Sequence, residues 1–404
     1  MPGVSKVSDG SGISGVEDLV RSDAALLEDD LAAFLASLTT PPARQRERQG
    51  QEQRQGQGSS ATESLYDAVL GRSLYAPVAD AVGSKVGQEA LAPAAGAPAG
   101  RAPLRPSMVF WAYRNYRGFP GEAGEEDSGA DLDAVRRAAV AVRVLLKAAV
   151  ALDDIQDGSG IRYGEPALHV THGIPLALNT GSLLITAALE HAAEPAVVRS
   201  LLESVRRGLT GQAVDVSTRT VLTRAELVAA PLGERIAFWE SMAALKTGTL
   251  FWMPLDAAVA ALGVVEDERR VLDEAMRDLG LASQLFNDLT DFVPGYGGRQ
   301  THEDFGQLSN RVFLELLDSA PAGPRASGEL VGARLKEFVL GHPDLRETLL
   351  RLAAEAVELK RSAMEAVRGV CRSERSARYF DVTIERKGHL IDRLHATLLK
   401  GEDA

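Results

Sequence analysis

The feature that most constrains this chain is a cluster of aspartates, DDIQD, that follows an apolar stretch. Asp153 and Asp157 are four residues apart, so on a helix their carboxylates share one face, one turn apart. Residues 145–152 are too apolar for an exposed helix, which argues against a merely solvated acidic surface. Neighbouring carboxylates repel each other unless a cation lies between them, and hard cations such as Mg²⁺ prefer oxygen ligands. The cluster, with Asp154 inside it, therefore predicts a metal site.

A second polar cluster, NDLTD, lies at residues 287–291 and also follows an apolar run. Asn287 and Asp291 repeat the four-residue spacing, and Asp288 lies between them. Two such helices that face each other across a bundle can hold metal ions between them. Metal ions held in this way suit a multiply charged anion, above all a diphosphate.

Composition excludes several classes of protein. The formal net charge of −12 argues against nucleic acid as a partner. A single cysteine, Cys371, excludes a disulfide framework. The polar start lacks the apolar core of a signal peptide, and no run of about 18 consecutive apolar residues is present. We therefore expect a cytoplasmic protein without stable membrane insertion.

The organisation of the chain is helical. Residues 16–38 carry apolar side chains at helical spacing, whereas residues 41–60 are a Gln, Arg and Gly-rich run typical of a disordered linker. We therefore divide the chain into residues 1–60, an N-terminal helix with its linker, and residues 61–404, one helical domain. Since the linker cannot pack, we expect removal of residues 1–60 to change function little. No alternation of period two appears, so the fold class is all-α, a large antiparallel bundle around a central cavity.

Together these segments resemble the trans-isoprenyl diphosphate synthase superfamily, whose fold is shared by class I terpene synthases. The resemblance covers roughly residues 100–400, with the motifs in the right order and spacing. The matching segments are Leu104-Arg105-Pro106 (the end of G-K-x-L-R-P), DDIQD (the first aspartate-rich motif), residues 164–184 (the R-R-G-x-P-x-x-H…G-I-P…N run), Gly211-Gln212…Asp215 (G-Q-x-x-D), Lys246-Thr247-Gly248 (K-T-G) and NDLTD (the second aspartate-rich motif).

This resemblance implies the isoprenoid synthase fold, an allylic prenyl diphosphate as substrate, three Mg²⁺ ions as cofactors and a homodimer. Bound Mg²⁺ would neutralise the diphosphate leaving group as a Lewis acid, and cationic side chains would hydrogen-bond to its oxygens. The implied metal ligands are Asp153, Asp154, Asp157, Asn287, Asp288 and Asp291. The implied catalytic and substrate-binding residues are Arg105, Ala148, Ala149, Arg162, Gln212, Asp215, Lys246 and Arg299, together with Asp153 and Asp157.

The chain departs from this family where a second substrate, isopentenyl diphosphate, would bind. Ala102 stands in place of the motif lysine, with Arg101 beside it, and Tyr163 replaces the second arginine of R-R-G. Leu146 stands near a polar contact of the family, with Lys147 adjacent, and only Arg105 matches plainly. By contrast, the motifs implied to bind and ionise the allylic diphosphate are nearly complete. This combination indicates ionisation of the allylic substrate without chain extension.

The second aspartate-rich motif also departs from the pattern of the chain-elongating family members. Asn287 replaces the family's first aspartate and resembles the N-D-x-x-S-x-x-x-E motif of terpene synthases, although Asp291 and Gly295 replace its serine and glutamate. The later G-K-x-T element is also absent, since residues 306–309 read GQLS.

Three functions follow from these patterns. The leading hypothesis is a terpene synthase that ionises one allylic diphosphate and then cyclises or quenches the cation. The first alternative is a chain-elongating prenyltransferase with a variant acceptor site. The third is a non-catalytic subunit of a partner synthase, against which the intact DDIQD, Arg162 and Lys246 argue.

The resemblance also predicts substrate length. In the family, the residues four and five before the first aspartate-rich motif form the floor of the tail pocket, and here they are Ala149 and Ala148. Each helical turn adds about 5.4 Å of depth, similar to one isoprene unit. These small side chains therefore predict a substrate of about C20 or longer, such as geranylgeranyl diphosphate.

Overall fold

The structure is a computed structural model that describes residues 11–39, 76–87, 104–119, 129–162, 164–293, 296, 304–319 and 330–401. Its helices, in chain order, are α1 (Ser11–Thr39), α2 (Ala76–Gly87), α3 (Leu104–Arg117), α4 (Gly129–Asp157), α5 (Leu168–His172), α6 (Ile174–Ala192), α7 (Pro195–Ser217), α8 (Val221–Ala229), α9 (Leu232–Ala243), α10 (Thr249–Leu262), α11 (Glu266–Thr290), α12 (Arg311–Leu316), α13 (Ala333–Leu340), α14 (Leu345–Val370) and α15 (Glu374–Lys400). A π-helical turn (Ala244–Gly248) joins α9 to α10, and short 3₁₀ turns lie at Asp304–Gly306 and Leu317–Ser319.

Helix α10 lies at the centre of the bundle. Eleven of its fourteen residues are buried, as expected for a helix that is covered on all sides. It packs against α3, α4, α7 and α11, while α4 packs along α6 and α11 packs along α14. The predicted all-α bundle is therefore confirmed.

Two details were not predicted from the sequence. The π-helical turn interrupts what would otherwise be one continuous helix over residues 232–262. A two-residue antiparallel pair, β1 (Ile161–Arg162) and β2 (Glu165–Pro166), follows α4, with Arg162 opposite Glu165. Strands this short carry no alternation for a sequence pattern to detect. The pair turns the chain back so that Arg162 lies beside the end of α4.

Helix α1 belongs to the same hydrophobic core as α3, α4 and α15. Its apolar face is buried, and it carries a buried carboxylate, Asp23, which is 1% exposed. Arg114 donates to Asp23 at 2.7 Å and the Tyr379 hydroxyl donates to it at 3.0 Å. This helix is therefore more important to the fold than the sequence indicated. The proposed linker at 41–60 lies outside the described residues.

In the part of the chain that the structure describes, no helix combines the length and the apolar character that crossing a membrane requires.

We predict that Asp23→Asn destabilises the fold because it leaves Arg114 and Tyr379 without their buried anion. Breaking a buried ion pair costs about 3–5 kcal/mol, to be measured as the free energy of unfolding in urea. Asp18→Asn, on the same helix, removes an exposed pair with Arg21 and should cost no more than about 0.5 kcal/mol. Equal losses in the two variants would show that α1 does not anchor the core.

Candidate active site

The candidate site is a cavity of about 460 Å³ enclosed by the central helices. Nine residues of helix α4 line it, and five of them are spaced three or four apart: Arg143, Leu146, Ala149, Asp153 and Gln156. This spacing places one stripe of an α-helix toward the same space. Apolar side chains from α6, α7, α10 and α11 line much of the remainder, including Ile185, Leu209, Leu250, Phe251 and Phe286.

The π-helical turn brings Lys246 to this cavity through two close helix crossings. A Cβ built on Gly211 of α7 would lie 2.4 Å from the backbone nitrogen of Lys246. A Cβ built on Gly280 of α11 would lie 2.3 Å from the Cα of Gly248. Only glycine permits such approaches. Gly211 of G-Q-x-x-D and Gly280 of α11 therefore serve packing and fix the position of the turn that carries Lys246.

Lys246 lies between two carboxylates. Its Nζ is 3.3 Å from Asp153 Oδ1 and donates a hydrogen bond to Asp215. Burial of Lys246 disfavours its charged form, but Asp153, Asp215 and Asp157 outweigh this effect and raise the pKa of its ammonium. Lys246 is therefore a fixed positive charge at the cavity.

Arg162 connects the cavity to a buried ion pair behind it. Its Nη2 donates to Asp153 at 3.1 Å and its Nε donates to Asp154 at 2.5 Å. Asp154 is fully buried and also accepts from Lys85 of α2 at 3.3 Å. It is not part of the cavity lining. Although the sequence predicted a metal ligand here, the structure places Asp154 as the anchor for Arg162.

Asp157 contacts an arginine that the sequence did not single out. Arg219, which follows α7, donates to Asp157 Oδ1 at 3.0 Å and to Gln307 Oε1 at 3.0 Å. Burial, followed by the charge of Asp153, raises the pKa of Asp157 to about 7. Arg219 matches none of the motifs used, so no sequence signal identified it.

The second cluster presents little charge to the cavity. Asn287 lines it and accepts a hydrogen bond from Lys387 of α15 at 3.3 Å. Asp288 turns into the core, where it accepts from Trp239 Nε1, Gln284 Nε2 and the Arg311 backbone N–H, each at 2.8 Å. Burial raises the pKa of Asp288 to about 7.

Asp291 is also buried, with the backbone N–H of Asp304 3.5 Å from its Oδ1, and it does not line the cavity. Of the three metal ligands predicted in the second cluster, the structure therefore brings only Asn287 to the cavity. Spacing alone did not separate the side chain that faces the cavity from the two that face the core.

The first cluster has the donors that Mg²⁺ prefers. Asp153 lines the cavity, whereas Asp157, one turn further along α4, is not part of the lining. The buried Oδ1 of Asp215 has no hydrogen-bond partner among the described residues. Within the described ranges, no three His, Cys, Asp or Glu side chains gather as a preformed metal site. Mg²⁺ commonly binds through one or two carboxylates, several waters and substrate phosphates. These residues therefore fit Mg²⁺ that arrives with a phosphate ligand.

The remaining predicted site residues fall into three groups. Some line the cavity, one is buried in the core, and the others lie outside the described residues. Gln212 and Arg105 line the cavity, and the Arg105 guanidinium lies 4.9 Å from the Phe251 ring centroid. Ala149 lines it too, but Ala148 is fully buried and absent from the lining. Of the two residues predicted to form the pocket floor, the structure therefore brings only Ala149 to the cavity. Arg299, Ala102 and Tyr163 lie outside the described residues.

The end of the cavity away from Asp153 is polar. Arg143 lies ten residues before Asp153, which is about 15 Å along a helix. Its guanidinium is 3.9 Å from the carboxylate of Glu28 on α1. Both residues line the cavity, so α1 contributes to the site as well as to the core.

Comparison with known proteins identifies the family. Residues 97–307 match the family model described as polyprenyl synthetase, which is more than half of the chain. The chain belongs to the polyprenyl synthetase family. This confirms the superfamily that the motifs indicated.

Three similar proteins illustrate the relationship. A geranylgeranyl diphosphate synthase of Sulfolobus acidocaldarius is 28% identical over 38% of this chain and 46% of its own length. Fusoxypene synthase of Fusarium oxysporum is 30% identical over 38% of this chain and 20% of its own length. A geranylgeranyl pyrophosphate synthase of Corynebacterium glutamicum, solved with isoprenyl diphosphate and magnesium, superposes with a TM-score of 0.62 at 15% identity, over 94% of this chain and 99% of that one.

These matches differ in what they show. The chain spans about half the length of the curated relatives that it matches first. The structural likeness at 15% identity establishes the isoprenoid synthase fold. Family and fold are therefore established.

We predict that Gly211→Ala destabilises the protein because its methyl group collides with the backbone of the π-helical turn. Overpacking of this kind costs about 1–3 kcal/mol, to be measured as the free energy of unfolding in urea. Gly369→Ala on α14 is the matched control, since a Cβ there meets nothing within 4 Å. It should be neutral or stabilise by up to about 1 kcal/mol. A Gly211→Ala protein as stable as the control would contradict the close crossing.

Proposed function

We propose that this polyprenyl synthetase family protein is a Mg²⁺-dependent terpene synthase that ionises an allylic prenyl diphosphate of about C20 (estimated from helix pitch). The observation that carries the proposal is the meeting of Asp153, Lys246 and Arg162 at one cavity whose other walls are largely apolar. An apolar tail and a polyanionic head require this combination of surfaces.

The carboxylates and the cationic side chains would have different roles in ionising the substrate. Asp153 and Asp157 would hold Mg²⁺, which supplies Lewis-acid neutralisation of the leaving group. Lys246 and Arg162 would donate hydrogen bonds to the departing diphosphate, and charge-assisted bonds of this kind are strong. Asp154, which is paired with Lys85, accepts a hydrogen bond from Arg162 and holds its guanidinium in position. Preorganised charges of this kind are the usual source of electrostatic catalysis.

The walls of the cavity would stabilise the carbocation that remains after the diphosphate leaves. Phe251 and Phe286 line it, and aromatic faces attract cations within about 6 Å. Gln212 lines the cavity and follows Gly211, which packs against Lys246. Its Nε2 is buried and has no hydrogen-bond partner among the described residues. It is placed to contact the diphosphate or a water that quenches the cation.

Chain elongation is the second candidate, and one observation favours it. Arg105 and Lys147 both line the cavity, and Lys147 is only 4% exposed. A buried cation near the apolar wall suits the diphosphate of a second substrate. The likeness to a geranylgeranyl diphosphate synthase supports the same alternative.

The test is product analysis of the purified chain with geranylgeranyl diphosphate, with and without labelled isopentenyl diphosphate. A hydrocarbon or terpene alcohol formed without isopentenyl diphosphate, and lost on adding EDTA, supports the terpene synthase. Label in a longer diphosphate would replace this proposal with elongation. No consumption in either assay would favour a non-catalytic subunit.

The homodimer, the cytoplasmic location and the count of three Mg²⁺ ions belong to this proposal through the family alone. Light scattering at micromolar concentration tests the first, and a monomer would contradict it.

We predict that Ala149→Phe shortens the accepted substrate because a phenyl group fills the cavity below Asp153. Overpacking of about 1–3 kcal/mol should lower kcat/KM for the C20 diphosphate by about tenfold or more and spare the C15 diphosphate. Ala148→Phe, buried against α6, should lower stability without this selectivity. An unchanged C20-to-C15 ratio in Ala149→Phe would place the limit of the tail elsewhere.

A further inference from the structure

Helix α15 supplies a lysine to the cavity at the second polar cluster. Lys387 lines the cavity, and its Nζ lies 3.3 Å from Asn287 Oδ1 and 3.9 Å from the Phe286 ring centroid. This helix follows residues 97–307, so it lies beyond the segment that matches the family model. The lysine therefore belongs to no motif considered above.

The surface that α11 presents to the cavity carries no negative charge. Among the residues of this fully described helix, those that line the cavity are Ser283, Gln284, Phe286, Asn287 and Thr290. The carboxylate of Asp288 accepts three hydrogen bonds in the core. The opposite wall differs, because α4 presents Asp153 to the same cavity.

A divalent metal fits this second wall poorly. Mg²⁺ is bound in proteins mainly through carboxylate oxygens and substrate phosphates. The amide oxygen that the second cluster offers the cavity, Asn287 Oδ1, is neutral and already accepts from the Lys387 ammonium, and the Thr290 hydroxyl is neutral too. A metal ion bound to the same oxygen would also lie close to a like charge, which is unfavourable.

We propose that Lys387 takes the place of a metal ion at the second cluster and binds the diphosphate of the substrate directly. An ammonium group has three donors and is a common point-charge partner of phosphate. Asn287 and Phe286 hold the ammonium at the cavity through a hydrogen bond and a cation–π contact. Metal ions then bind on the α4 side alone, and fewer Mg²⁺ ions are bound than the three that the family resemblance implies. The inference rests on the proposed function, since it assigns a second cation to the same leaving group.

The test is calorimetric titration of inorganic diphosphate into the full-length protein with saturating Mg²⁺. Lys387→Gln should weaken binding by about tenfold or more, because a hydrogen bond to a charged group is lost. Lys387→Arg should retain most of the affinity. Lys400→Gln, which removes an exposed lysine from the same helix, controls for net charge and should bind as the unmodified protein does.

A second titration tests the exchange of ammonium for metal. In the Lys387→Gln/Asn287→Asp double variant, the new carboxylate should restore diphosphate affinity at raised Mg²⁺ and add one Mg²⁺ to the number bound. Unchanged affinity in Lys387→Gln, or equal losses in the Lys400→Gln control, would overturn the role of Lys387. Absence of diphosphate binding by the unmodified protein would instead contradict the proposed function itself.

Discussion

Buried carboxylates that must be neutralised are the constraint on which the site depends. Asp153, Asp157 and Asp215 lie close enough to influence one ammonium, that of Lys246. Like charges in a partly buried site are costly unless cations face them. In this structure Lys246, Arg162 and Arg219 supply those cations. Arrival of Mg²⁺ with a diphosphate would release these cations from the carboxylates and let them face the anionic phosphates instead.

The bundle is built to hold these charges in place. Gly211 and Gly280 let two helices approach the π-helical turn, and a π-helical turn within a helix is a frequent device at functional sites. On the other side of the cavity, the Lys85–Asp154 pair is almost fully buried and fixes Arg162. Packing and electrostatics therefore act on the same few residues, and a change in either should displace the diphosphate site.

The sequence predicted the helical bundle, the family and the first aspartate cluster, because apolar periodicity and exact motif spacing carry that information. It did not separate Ala149 from Ala148, or Asn287 from Asp288, since neighbouring residues on a helix point about 100° apart and packing decides which one faces the cavity. It also missed Arg219 and Lys387. Both reach the site from elements outside the motifs, through tertiary contacts that local patterns do not encode.

We expect Asp153 and Asp157 to exchange their cationic partners for a divalent metal when a diphosphate binds. The most direct measurement is anomalous diffraction from crystals grown with Mn²⁺ and inorganic diphosphate. The account predicts Mn²⁺ about 2.1 Å from oxygens of both carboxylates, with Lys246 and Arg162 on the diphosphate. Mn²⁺ bound instead at Asp154 or Asp288, or diphosphate bound with no metal at Asp153, would contradict it.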